Sequence, residues 1–459
     1  GGAILSRVAT AMRDEPPTLT ATIVGEHLVD VEAGEFDRPA LGVALDVGTT
    51  TVVATLVDLS TGGVAAVESA LNGQARFGAD VIARIGHAMT GDDAVDELRA
   101  SVVATVNELL GRTIAAAGVD RGDVIQLVAV GNATMLHLLL GADPRSIALA
   151  PFAATSLEPQ DLRADELGLE IHPEGRVVLL PGIGPYVGAD IIGDLVATGL
   201  AREDRVRLLV DVGTNGEIVC GSAERVVATA APAGPAFEGG QILHGMRAVE
   251  GAIEGLSLER GEVELTVIGD ARPRGICGSG LIDVVAQLRL IGLLNPNGTL
   301  VSREQALEAA HPLADRLVER DGVRAFALTD EVVLTQLDVR ELQSAKGAIA
   351  TGIEVAMREL GVQAEDLEEV LLAGSFGTYV DPANARVLGL VPSVPVQRIR
   401  AVGNAASEGA KMALLSFRER EIAFELPSFV EYVELSGAED FNDRFVANLA
   451  FPALEAAGA

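Results

Sequence analysis

Apolar runs that stop at an acidic residue set the rhythm of this chain. Gly42 to Leu45 is continuous apolar sequence ending at Asp46, and Leu208 to Val210 ends the same way at Asp211. Both read as buried strands, and polar-apolar alternation resumes after each turn, so each unit is predicted to be a β-hairpin. Further strands are expected at Thr18 to Val24, His27 to Val31, Val124 to Val130, Glu369 to Ala373 and Phe429 to Leu435. Helical periodicity covers Leu5 to Met12, Asp93 to Ala117, Asp338 to Leu360, Gly403 to Phe417 and Phe441 to Leu449, the last with Phe441 and Phe445 on one face. Strands alternating with helices in this way predict an α/β protein.

The hairpin turns carry the chemistry. Leu45-Asp46-Val47-Gly48-Thr49-Thr50-Thr51 and Val210-Asp211-Val212-Gly213-Thr214-Asn215-Gly216 share an Asp-Val-Gly-Thr core, with the two Asp residues 165 positions apart. A glycine-containing turn presents backbone N–H groups that suit a phosphate oxygen. The Asp beside it can hold the water shell of Mg2+, an ion that keeps most of its waters and takes few protein ligands. Two such turns predict duplicated lobes gripping a nucleotide from both sides. A third apolar strand, Glu369 to Ala373, runs directly into Gly374-Ser375-Phe376-Gly377, where the backbone can approach an adenosine closely.

Composition narrows the class. The 459 residues are 49% hydrophobic, enough for several buried cores, and contain no run of about 18 uncharged apolar residues. Thirty-four basic against 66 acidic residues give a net charge of −32, which argues against nucleic acid and anionic membranes as partners. The start, Gly1 to Leu5, is a poor secretion signal. Two cysteines, Cys220 and Cys277, cannot build a disulfide framework, so a reducing, cytoplasmic location is expected.

The three motifs resemble, in order and spacing, the phosphate-1, phosphate-2 and adenosine motifs of the actin, sugar-kinase and heat-shock-ATPase superfamily. That resemblance implies a two-lobed actin-like ATPase fold of duplicated ribonuclease-H-like lobes, with a short N-terminal β extension. It divides the chain at 1–38 (the remnant of a preceding linker or middle domain), 39–202 (first lobe) and 203–459 (second lobe, with a C-terminal helix crossing back). Val130-Gly131-Asn132, Arg274 to Asp283, Gln343-Ser344-Ala345-Lys346-Gly347 and Leu372 to Pro382 narrow it further. Together these segments resemble the ATPase part of the reductive activators of corrinoid proteins, over roughly residues 40 to 459.

Several residue roles follow from the resemblance. Asp46 and Asp211 face the magnesium, and Asp190, 21 residues before Asp211, orients the attacking water. Its position in a first helical turn equally suits a helix-dipole role. Gly48, Thr49, Thr50, Gly213, Thr214 and Asn215 hold phosphates. Glu238 and Gly239 approach the phosphates and ribose, with an ordinary Pro/Gly loop as the rival reading. Gly374, Ser375 and Phe376 line the adenosine pocket, and Lys346 reaches ribose or adenine, against the alternative of a solvated helix-face lysine. Asn132 and Thr134 can cap the helix that follows them.

The family also implies ATP and Mg2+ as cofactors, a corrinoid protein as partner, and a two-iron, two-sulfur cluster in an N-terminal domain. ATP is needed because re-reducing Co(II) to Co(I) is uphill, each ~59 mV being about 1.4 kcal/mol for one electron. A cluster wants four closely spaced Cys ligands, which Cys220 and Cys277 do not offer. This chain is therefore expected to bind or hydrolyse ATP, with any electron donor acting through the absent domain, as a shortened or a natural relative. A homodimer is compatible with this reading. The competing classes are a small-molecule kinase of the same superfamily, with Asp190 as base, and a nucleotide-gated, non-catalytic binding protein.

Overall fold

In the computed structural model, residues 2–13, 18–35, 38–258, 261–374, 380–438 and 440–454 are described. They form two compact units. Residues 1–198 and 405–429 make the first, and 199–404 and 430–459 the second.

The first unit opens with helix Gly2–Ala11, which packs on the hairpin that follows it, β1 (Leu19–Val24) and β2 (His27–Ala33), an antiparallel pair that among the described residues forms a sheet of its own. An isolated two-stranded hairpin is marginal in water. This one is anchored by Val24 and Val29, which pack with Ile125, and by Asp30, whose Oδ2 lies 3.3 Å from His172 Nε2. A six-stranded sheet follows, built from β3 (Leu41–Val47), β4 (Thr51–Asp58), β5 (Val64–Leu71), β6 (Val124–Gly131), β7 (Gln160–Arg163) and β8 (Arg176–Leu179). Its order is β5-β4-β3-β6-β8-β7, antiparallel from β5 to β3 and parallel from β3 through β6 to β8. The central strand β3 is buried along nearly its whole length, which is why it reads as unbroken apolar sequence.

Helix Ala189–Thr198 packs against helix Ala405–Leu415, which returns to this unit late in the chain. Their backbones touch through glycine. A Cβ at Gly193 would lie 2.6 Å from the Ala406 carbonyl oxygen, closer than real Cβ contacts allow.

In the second unit, the main sheet comprises β9 (Arg207–Val212), β10 (Gly216–Gly221), β11 (Val226–Ala231), β18 (Glu369–Ala373), β19 (Ile399–Gly403) and β20 (Val430–Tyr432). Between β11 and β18 the chain adds two three-stranded sheets. One holds β12 (Ala252–Ser257), β13 (Glu264–Val267) and β14 (Gly275–Ile276); the other holds β15 (Leu317–Arg320), β16 (Val323–Ala327) and β17 (Val333–Thr335). The main order is β19-β18-β9-β10-β11-β20. From β9 outward, an antiparallel pair lies on one side and two parallel strands on the other. The first unit repeats this around β3, with β4, β5, β6 and β8 in the same places. The duplicated lobe topology follows, and Asp46 and Asp211 occupy equivalent positions near the ends of the two central strands.

The long helix Gln336–Leu360 begins at a capping box, Thr335 Oγ1 accepting from Asp338 N at 3.1 Å and Asp338 Oδ2 from Thr335 N at 2.7 Å. Its buried face joins a core that includes Val210, Ile218, Phe326, Leu372 and Ile349. Each such side chain contributes about 1.5–3 kcal/mol by leaving water.

Candidate functional site

In the first unit, the turn between β3 and β4 is held from behind. The Asn72 side-chain amide donates to the Gly48 carbonyl at 3.0 Å, and the Asn72 backbone N–H donates to the Thr50 carbonyl at 3.0 Å. The Thr49 carbonyl accepts from Arg84 Nη2 at 2.5 Å, and its hydroxyl accepts from Asn132 Nδ2 at 2.9 Å. Gly48 is obligatory here, since a Cβ would meet the Thr51 carbonyl oxygen at 2.4 Å. Asp46, Gly48 and Thr50 are half-buried, so the face opposite these donors is reachable.

Asn132 does two jobs. Its Oδ1 accepts from Met135 N at 3.0 Å, capping helix Ala133–Leu140, while its amide holds Thr49. Thr134 lies inside that helix, fully buried, and takes no part in the cap. The glycine-rich turn before Asp190 closes onto the same junction, for a Cβ at Gly188 would lie 2.5 Å from Asn132 Cα. Asp190 stands half-buried in the first turn of helix Ala189–Thr198, its Oδ1 accepting from Ile191 N at 2.9 Å.

The second unit assembles its turn differently. Gly213 N–H donates to the Asn215 carbonyl at 2.9 Å, tightening the bend between β9 and β10. Thr214 Oγ1 donates to Glu238 Oε1 at 2.9 Å, which brings the Pro/Gly loop 232–240 onto the turn. Strand β18 lies parallel to β9 with Ala373 opposite Asp211, so Gly374 emerges beside that carboxylate. Asp211, Thr214, Glu238, Gly239 and Gly374 thus form one half-buried cluster. Ser375 and Phe376 lie outside the described residues.

Residues 41–203 match the family described as the RACo middle region, and residues 205–457 match the family described as the C-terminal domain of RACo, the ASKHA domain. The corrinoid activation enzyme RamQ of Eubacterium limosum is 35% identical over 443 residues, covering 94% of this chain and 74% of that protein. The chain belongs to the RACo family. A Co(II) methylated amine-specific corrinoid protein reductase of Methanosarcina barkeri is 26% identical over 455 residues, 89% of this chain and 77% of its own. A solved structure described as a reductive activator for corrinoid, iron-sulfur protein superposes with a TM-score of 0.89 at 34% identity, covering 98% of this chain and 73% of that one. A RACo-family ASKHA domain agrees with the actin-like architecture expected from the sequence.

Within this RACo-family fold Lys346 is engaged by the segment at Ala450 and Phe451. It is 2% exposed, and its ammonium donates to the Ala450 carbonyl at 2.5 Å with the Phe451 ring centroid 5.4 Å away. Burial pulls its pKa down to about 8. It is thus neither a solvated helix-face lysine nor, in this structure, a free donor.

Neither cysteine suits an iron-sulfur cluster. Cys220 is buried in β10, where desolvation pushes its thiol up to about 12. Buried Cys277 donates to the Ile253 carbonyl at 3.3 Å. Among the described residues no group of three or more His, Cys, Asp or Glu side chains could hold a metal. Magnesium does not need one, since one or two carboxylates and its own waters suffice beside a phosphate. Asp46 and Asp211, each half-buried at a strand end beside an N–H-bearing turn, fit that use.

The donors Asn72 and Arg84 behind the first turn, and Gln74 between them, carry no motif in the sequence. One signal was available. Arg84 lies on the buried stripe Val81, Ile85 and Ala88 of helix Val81–Ala88, where a charged side chain has no solvent to face.

Proposed function

We propose that this chain is the ATP-binding and ATP-hydrolysing module of a corrinoid-protein reductive activator, coupling ATP to reduction of Co(II) to Co(I). The observation that carries the reading is the repeated central strand, ending in Asp46 in one unit and Asp211 in the other, each followed by a glycine turn whose oxygens are engaged within the fold. Membership of the RACo family and the names of its relatives supply the corrinoid context.

In this reading the N–H groups of the Gly48-Thr49-Thr50 turn, and those of Thr214 and Asn215 in the turn that the Gly213 N–H tightens, bind phosphate oxygens. Asp46 and Asp211 orient the water shell of the magnesium ion, which neutralises charge on the phosphates when bound. Asp190 orients the attacking water, and the strand end at Gly374 receives the adenosine. Phosphoryl transfer needs mainly such positioning and charge compensation. Electron transfer belongs to an iron-sulfur domain, because the two buried thiols here cannot ligate a cluster.

The test is ATP hydrolysis with magnesium, with and without a Co(II) corrinoid protein, for the wild type and Asp211→Ala. Stimulation by the corrinoid protein that disappears in Asp211→Ala supports the reading. Turnover indifferent to corrinoid protein but driven by a small-molecule acceptor overturns it in favour of a kinase.

A further inference from the structure

We propose that Arg84, seated through Gln74 and Asn72, is a positioning residue that shapes the Gly48–Thr50 turn into an anion receptor before nucleotide arrives. The inference rests on the nucleotide-binding reading above and adds to it the device that makes one of the turns competent.

All three of these side chains are fully buried. A buried guanidinium costs several kcal/mol of lost hydration unless its donors are used, and here they are distributed over the first turn and its supports. Arg84 Nη2 donates to the Thr49 carbonyl at 2.5 Å, Nε to the Gly78 carbonyl at 3.0 Å, and Nη1 to Gln74 Oε1 at 3.2 Å. Nη1 also lies 3.1 Å from Met135 Sδ, a weak acceptor on the helix that Asn132 caps. Gln74 is fixed in turn, its amide donating to the Leu98 carbonyl at 2.9 Å and its backbone N–H to Asn72 Oδ1 at 3.0 Å. The other end of Asn72 holds the Gly48 carbonyl.

The consequence for the turn is geometric. The carbonyls of Gly48, Thr49 and Thr50 each accept from this assembly, the last through the Asn72 backbone. A peptide whose carbonyl is pinned on one side presents its N–H on the other. The three peptides so held carry the N–H groups of Thr49, Thr50 and Thr51, and successive N–H groups in a turn are an arrangement that binds phosphate oxygens. The guanidinium places its positive group directly behind the Thr49 peptide. A turn held open in advance forgoes the ordering cost at the moment of binding.

The experiment compares wild type, Arg84→Lys and Ile85→Val by ATP titration in magnesium, with urea midpoints recorded for each. Lysine keeps the charge but cannot serve three acceptors from a fork. Ile85 neighbours Arg84 on the same helix and is fully buried, so Ile85→Val reports what loosening that helix alone does. We expect the ATP dissociation constant of Arg84→Lys to rise about tenfold or more, the loss of one hydrogen bond to a charged group. Ile85→Val should stay within about twofold at a comparable or lower urea midpoint. An ATP affinity in Arg84→Lys equal to wild type, or a loss matched by Ile85→Val, overturns the proposal while leaving nucleotide binding intact. A wild-type chain that binds no ATP overturns the underlying reading and this inference with it. An Arg84→Lys chain that does not fold is replaced by Gln74→Met, which takes away the acceptor that seats Arg84 Nη1. The same tenfold loss is expected of it, and unchanged affinity there is equally fatal.

Discussion

Gly374 and Asp211 stand so close that a Cβ on residue 374 would come within 2.4 Å of Asp211 Oδ1. The backbone at 374 also has φ of +91°, a conformation that L side chains rarely adopt. Strand β18 therefore delivers its end against the carboxylate of the neighbouring central strand, and only a glycine fits there. Gly374→Ala should displace Asp211 or the strand end. We expect at least a tenfold loss of ATP affinity with a stability loss of about 1–3 kcal/mol. Nucleotide titration and urea denaturation of the same variant check both parts.

Asn132 links helix capping to the first turn. Asn132→Ala removes the cap, worth about 1 kcal/mol, and releases the Thr49 hydroxyl. Asn132→Asp keeps a capping oxygen but loses the amide that donates to Thr49. The Asp variant should keep near wild-type thermal stability while its ATP affinity falls several-fold. Equal affinity in the Asp variant and the wild type would show that the Thr49 contact is idle.

The parts legible in the sequence were those with a local signature. The strands ending in Asp46 and Asp211 and the glycine turns after them are written in consecutive residues, and so is the strand running into Gly374. Arg84 and Lys346 show why the remainder was hidden. Each is a charged residue on a helix, a type ordinarily given to solvent, and only the place of Arg84 on an apolar stripe argues otherwise. What buries Lys346 is the carbonyl of Ala450, 104 residues away, and what uses Arg84 is the Thr49 carbonyl, 35 residues before it. Neither partner has a side-chain signal, because a backbone carbonyl is the same in every residue. The return of residues 405–429 to the first unit is similarly non-local, and rests on the contact of Gly193 with Ala406.

Asp283 predicts an acid-stabilised element. It lies in helix Gly278–Leu290, where burial raises its carboxyl pKa to about 6 against the hydrogen bond from Asn384 Nδ2 at 2.8 Å. An acid whose folded pKa exceeds its unfolded value holds its proton more tightly when folded. Its contribution is then complete below about pH 4 and lost as pH rises through about 6. Asp283→Asn should stabilise the second unit at pH 7 by up to about 2 kcal/mol and leave it unchanged near pH 4. Urea midpoints at the two pH values decide it, and an equal gain at both would contradict the assignment.

Lys346 predicts the opposite end of the pH scale. Burial lowers its folded pKa to about 8 from an ordinary 10.5, so the unfolded chain binds more protons between these values. Stability from this group therefore rises with pH from about 8 to about 10.5, and below 8 the cost of the buried ammonium is felt in full. Lys346→Met removes the charge but also the donor to Ala450 and the contact over Phe451. Relative to this variant, the wild type should gain roughly 3 kcal/mol between pH 8 and 10.5, an upper figure from the pKa difference. Because Gln343 Nε2 donates to the Leu449 carbonyl at 2.6 Å and Arg289 Nη2 to the Pro452 carbonyl at 3.2 Å, segment 449–452 stays anchored when Lys346 is replaced. Its protection from proteolysis in Lys346→Met should fall only modestly. Chemical denaturation across that pH range, run on both proteins, gives the slope, and parallel curves would mean that the lysine keeps its ordinary pKa despite burial.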